Sequence, residues 1–150
     1  VLGYSEVDFI QADIQKNLCF DESLVSDFVL VYGLIYHMED PIRVLRLASQ
    51  LSRQHILVET QIFPYDVSGT IEDGYYLNQR DMIGVFGLAP DYPQGREGGS
   101  TNLALVPSLN ALLYVLNSLG FTYLEIMKPL PGDYEQFRRG SRVVVYGRKK

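Results

Sequence analysis

The chain is poor in the residues that would staple it or tie it to a metal. A single cysteine, Cys19, stands in 150 residues, so no internal disulfide is available, and no metal-type spacing of Cys and His occurs. A disulfide scaffold and a structural zinc site are thereby excluded, and a reducing, cytoplasmic setting is expected. No apolar run approaches the ~18 to 20 residues needed to cross a bilayer, and the first residues carry neither a basic stretch nor a cleavage pattern. Positive charge is short as well: 13 Lys and Arg against 18 Asp and Glu leave a formal charge of −5. That balance does not build a surface for gripping phosphate backbones, although Arg138, Arg139, Arg142, Arg148, Lys149 and Lys150 make the C-terminal end locally basic. Internal repeats, low-complexity tracts and a composition break that would split the chain in two are also missing.

What is present suits one domain with a real core, since 47% of the residues are hydrophobic and 21% charged. Val7 to Ala12 is a short apolar run closed by Asp13 and reads as a strand that delivers a carboxylate into a loop. Phe28-Val29-Leu30-Val31-Tyr32 is continuously apolar, as expected of a parallel strand buried on both faces, and Gly33 lets the backbone turn. Asp40-Pro41 supplies an N-cap and a first helical residue, and Ile42, Leu45, Leu47, Ala48 and Leu51 mark one apolar stripe. His55 to Thr60 is the next strand. From Ile62 to about Val106 the pattern dissolves into Gly, Pro, Asp and Tyr, which predicts an inserted loop or lid with a short helix around Tyr76 to Ile83. Pro107-Ser108 opens a second helix ended by Gly120. Phe121 to Met127 and Val143 to Tyr146 then form two strands, whose short polar connector favours an antiparallel pair.

The segment Asp27 to Pro41 carries the most information, because open α/β sheets bind ligands at the carboxyl ends of their strands, and Gly33-Leu34-Ile35-Tyr36-His37 follows such a strand. Strand, Gly-x-x-Tyr-His, Asp-Pro, helix and then Val58-Glu59-Thr60 resembles class I S-adenosylmethionine-dependent methyltransferases. The likeness continues through Val106-Pro107-Ser108, Leu119-Gly120-Phe121 and Arg139-Gly140-x-Arg142-Val143-Val144-Val145. It implies a doubly wound α/β fold, mostly parallel with an antiparallel C-terminal strand. It also implies S-adenosyl-L-methionine as cofactor and a small-molecule acceptor. By resemblance Asp13, Ile14 and Gln15 line the adenine, Tyr32, Gly33 and Leu34 border the methionine part, and Tyr36 and His37 face the transfer site. His takes a proton near neutral pH, and a Tyr hydroxyl orients a substrate. The tyrosines Tyr65, Tyr75, Tyr76 and Tyr92 would shape the acceptor pocket.

Within that superfamily, Gly-x-x-Tyr-His, Leu57-Val58-Glu59-Thr60, Pro107-Ser108 and the late Arg142 are also similar to tRNA wobble-uridine carboxymethyltransferases. That pattern implies Tyr36 and Arg142 as carboxylate partners, guanidinium geometry suiting bidentate binding. Acidity and divergence between Glu59 and Pro107 do not favour tRNA. The chain lacks the acidic-x-Gly-x-Gly turn of the family and a ribose-holding acid after a second strand. Gly95-x-x-Gly98-Gly99 follows no strand and precedes no helix, so it reads as plain loop. The sequence therefore reads as the back half of one methyltransferase domain, a fragment inactive by itself, the other option being a non-catalytic remnant of the fold. His55 and Cys19, without spaced partners, read as structural.

Overall fold

Ser26–Tyr32 (β1) and Ser52–Gln61 (β2) pair in parallel at the heart of a computed structural model that describes residues 8–14, 21–73, 78–92, 94 and 102–150. The crossover between them is the helix Pro41–Leu51 (α1). The Asp40 side chain accepts from the Arg43 N–H at 3.0 Å and Pro41 sits in the first turn, as the Asp-Pro pair predicts. The second helix, Leu109–Ser118 (α2), is capped by Ser108, whose hydroxyl accepts from Ala111 N–H, and it ends in a Schellman motif. There Gly120 N–H donates to Asn117 O at 3.0 Å, Phe121 N–H donates to Leu116 O at 3.1 Å, and Gly120 takes φ +99°.

Four further short strands, outside the main sheet, precede α2: Gly69–Asp73 (β3), Asn78–Met82 (β4), Phe86–Pro90 (β5) and Leu103–Pro107 (β6), the last leading into the helix. After α2 come Tyr123–Ile126 (β7), the single helical turn Glu135–Arg138 (α3) and Arg142–Arg148 (β8). The main sheet has the order β1-β2-β8-β7, with β8 antiparallel to both neighbours. The expected parallel pair and antiparallel C-terminal strand are both there. Among the described residues, however, antiparallel pairings outnumber the parallel one, so the sheet is mixed rather than mostly parallel.

Register decides which face carries the core. Val31, Val58 and Val145 lie side by side across three strands and are buried with Ile56, Val44, Leu45, Ala48, Leu112, Leu116 and Phe121. Each of the larger side chains among them, Ala48 apart, contributes about 1.5 to 3 kcal/mol on burial. Both helices contribute to this one cluster, so they cover one face. The opposite face begins with Phe28, Leu30 and Tyr32, which are 45%, 61% and 51% exposed. The expectation of a strand buried on both faces therefore fails for β1: alternation turns every second residue away from the helices. On α1 the buried residues are Pro41, Val44, Leu45, Leu47, Ala48 and Ser49, while Ile42 is exposed.

Two other expectations are corrected. Residues 8–13 have no strand pairing, with Phe9 92% exposed; an apolar run becomes a strand only when a neighbour receives its backbone groups. The stretch from Ile62 to Val106 contains two antiparallel hairpins, β3 with β4 and β5 with β6, and residues 78–82 are strand where a helix was expected. Glycine and proline punctuation disguised them. The second hairpin is bolted to the body by backbone bonds: Leu105 N–H to Met38 O, Phe63 N–H to Pro107 O and Ser108 N–H to Val85 O, at 2.8 to 2.9 Å.

Candidate functional site

At the carboxyl end of β1 the chain turns through Gly33 at φ +60°, a left-handed conformation that side chains resist. Its N–H donates at 2.9 Å to Oε2 of Glu59, at the carboxyl end of β2. A carboxylate there would be costly without partners, since Glu59 is only 8% exposed. Its other oxygen accepts from Arg142 Nη1 at 2.9 Å. Arg142 reaches over from the start of β8, also donating Nη2 to the Tyr36 hydroxyl at 3.1 Å and Nε to Gln136 Oε1 at 2.9 Å. The guanidinium lies 4.8 Å from the Tyr36 ring centre. Burial pulls the guanidinium pKa down, but the Tyr36 hydrogen bond and the Glu59 charge outweigh it, so the net direction is upward and the group stays charged.

The 3-10 turn Ile35–His37 follows at once. Tyr36 is buried, its ring 4.2 Å from that of His37. His37 Nδ1 lies 3.0 and 3.1 Å from the two carboxylate oxygens of Asp91, just beyond β5. Both side chains are nearly enclosed, at 13% and 14% exposure. A carboxylate only accepts, so Nδ1 is the donor.

The structure thus brings Tyr36, His37, Gly33 and Arg142 together, and adds Glu59, Asp91 and Gln136, which sequence reasoning had not assigned to the site. Glu59 was visible as an acid closing an apolar strand; Asp91 had no local signal, because a hairpin brings it from 54 residues away. Tyr32 is exposed beside this cluster, and Leu34 packs against the core. Asp13 is exposed and Ile14 packs on the core cluster, while Gln15, Cys19, Tyr75, Tyr76 and Gly95 to Gly99 lie outside the described residues. Tyr65 and Tyr92 are exposed. His55 bonds the Tyr146 hydroxyl at 2.9 Å and stacks on its ring, in keeping with a structural role.

On the face away from α1 and α2, a cavity of about 590 Å³ opens between the sheet and residues 126–140, lined by Tyr32, Leu57, Val144, Leu130 and Phe137, with Arg142 at its wall. Among the described residues no group of three or more His, Cys, Asp or Glu is arranged to hold a metal, and no helix is long and apolar enough to cross a membrane.

No family model and no curated protein matches the chain. Solved structures do. The N-terminal domain of EvdMO1 with SAH bound superposes with a TM-score of 0.63 at 22% identity, over 93% of this chain and 52% of that one. The same domain in the presence of SAH and D-fucose gives 0.62 at 22% identity, over 93% and 53%. An S-adenosylmethionine-dependent methyltransferase from Mesorhizobium loti gives 0.56 at 17% identity, over 92% and 67%. The chain spans about half the length of the EvdMO1 domain chains it matches. At these identities the likeness establishes the fold, a methyltransferase-like α/β arrangement.

Proposed function

We propose that the chain is part of an S-adenosyl-L-methionine-dependent methyltransferase acting on a small-molecule acceptor. The observation that carries this is the polar cluster built at the carboxyl ends of the parallel pair, where Glu59 accepts from Gly33 N–H and from Arg142, and Arg142 in turn donates to the Tyr36 hydroxyl. In open α/β sheets that end is where ligands bind. The left-handed turn at Gly33 leaves backbone without a side chain beside exposed Tyr32, which suits close approach of a cofactor.

In this reading Tyr32, Gly33 and Leu34 hold the methionine part and Asp13, Ile14 and Gln15 the adenine. The cofactor, when bound, supplies an activated methyl group on a sulfonium. Tyr36 and His37 face the acceptor, and residues 62–106 form the lid of a single domain. Solved neighbours with SAH, one also with D-fucose, support a small acceptor. Because the sequence contains no acidic-x-Gly-x-Gly turn, the chain by itself is expected to hold the cofactor weakly and to be inactive.

The carboxymethyl reading needs Arg142 to meet a carboxylate on the cofactor. Its guanidinium is already engaged by Glu59, Tyr36 and Gln136, which makes it a residue that positions the turn. Ultraviolet cross-linking with methyl-labelled S-adenosyl-L-methionine at millimolar concentration tests the proposal. Label on a peptide containing residues 32–34, competed by S-adenosyl-L-homocysteine, supports it; label that is not competed, or none at all, overturns it.

A further inference from the structure

His37 and Asp91 come from opposite sides of the site, and the backbone holds them in register. Asp91 N–H donates to Asn102 O across the open end of the β5–β6 hairpin, and Leu105 N–H of β6 donates to the carbonyl of Met38, the residue after His37. The carboxylate and the imidazole are therefore fixed to one another through main-chain bonds on both sides. Among the described residues Nε2 of His37 has no hydrogen-bond partner, and no fully buried side-chain nitrogen or oxygen lacks one, so Nε2 keeps some solvent access although the side chain is only 13% exposed. The charged and titratable groups around the ring are Asp91 on one edge and Tyr36 against its face, with Arg142 and Glu59 behind Tyr36.

We propose that Asp91 is a positioning residue that locks His37 in the Nδ1–H tautomer, so that Nε2 takes the proton of a neutral hydroxyl, and that the acceptor class is an alcohol rather than an amine. This rests on the methyltransferase reading above. A neutral amine attacks with its own lone pair and sheds its proton afterwards; an aliphatic hydroxyl must lose its proton as it attacks, and so needs a base in place. His37 Nε2 receives that proton while the hydroxyl oxygen's electron pair forms the O–CH3 bond. The C–S bond of the methylsulfonium donor breaks, and its electron pair returns to sulfur, giving a neutral thioether. The imidazolium so formed is stabilised by the Asp91 carboxylate and later releases its proton to water. A carboxylate that sets the tautomer of a histidine base is an arrangement with a known effect: the wrong tautomer disables the base although its geometry is intact.

The chain has two histidines, so 15N spectra of the histidine-labelled full chain resolve the two rings, and His37→Gln assigns them. With the ring neutral, His37 should show a protonated Nδ1 and a bare Nε2, and Asp91→Asn should shift the population toward Nε2–H. A protonated Nε2 in the unmodified chain, or no change in Asp91→Asn, overturns the proposal without touching the methyltransferase reading. Where methyl transfer is measured in the active protein, Asp91→Asn and His37→Gln should lower turnover of a free monosaccharide about 100-fold, within the range of general base catalysis. Affinity for S-adenosyl-L-homocysteine should stay within twofold. Transfer to primary amines that is undiminished in Asp91→Asn, with no transfer to hydroxyls, would overturn the acceptor class. Loss of S-adenosyl-L-homocysteine binding in the unmodified protein would instead count against the methyltransferase reading itself.

Discussion

Replacing Glu59 by alanine removes a nearly enclosed carboxylate that serves two donors at once. Arg142 Nη1 and Gly33 N–H each lose an acceptor at 2.9 Å, and the guanidinium, with a side chain only 12% exposed, loses its counter-charge while keeping the neutral acceptors Tyr36 and Gln136. Breaking a buried pair on one side costs about 3 to 5 kcal/mol. The residual exposure of both side chains argues for the lower end, about 3 kcal/mol, including the orphaned N–H of Gly33. For a chain of this size each kcal/mol moves the melting temperature by roughly 2 to 4 °C, so Glu59→Ala should melt about 6 to 12 °C lower. Urea unfolding followed by circular dichroism gives the free energy directly. The control is the exposed pair Arg53–Asp27, at 3.3 Å and more than half solvated on both sides, where Arg53→Ala should lose less than about 1 kcal/mol. Arg142→Ala combined with Glu59→Ala should lose clearly less than the sum of the two, since the second change removes a charge already orphaned. Additive losses, or a Glu59→Ala variant as stable as Arg53→Ala, would refute the view that this cluster organises the turn.

Ser108→Ala removes one hydroxyl that accepts from both Ala111 N–H and Val85 N–H at a fully buried position, and should cost about 1 to 2 kcal/mol in urea unfolding. Gly87→Val should destabilise by about 1 to 3 kcal/mol, because a Cβ there would overlap the Phe63 ring; a crystal or NMR structure should show that ring displaced. Burial holds the Lys149 ammonium below its ordinary value of 10.5, even as Nζ donates to Ser49 O and Ser52 O. The folded chain then binds this proton more weakly than the unfolded one, so stability should rise with pH across the interval between the depressed value and the ordinary one. Thermal melts over that interval should show the rise flattened in Lys149→Met.

Much of the frame was legible because its signals are local. Asp40 caps α1 as expected, α2 begins at the expected Pro107-Ser108, Gly120 ends it as a left-handed residue, and the apolar run at β1 pairs in parallel with β2. What could not be read depended on contacts between distant segments. The run Phe28 to Tyr32 is apolar on both faces, and nothing in it reveals that the helices cover only Val29 and Val31. The β5–β6 hairpin is hidden by Gly87 and Pro90, and with it the route by which Asp91 reaches His37. For the same reason the sequence marks Arg142 as a carboxylate partner without showing that the carboxylate is the chain's own: Glu59 lies 83 residues earlier and is brought to it by the antiparallel pairing of β2 with β8.

The most direct test of the central claim is a titration of the 15N-labelled chain with S-adenosyl-L-homocysteine up to millimolar concentration, followed by amide shifts. Binding at the proposed place should move the amides of Tyr32, Gly33 and Leu34 along one saturating curve, with Glu59 following through its hydrogen bond to Gly33. Shifts confined to another part of the chain, or none at the end of β1 at the highest concentration, would contradict the account.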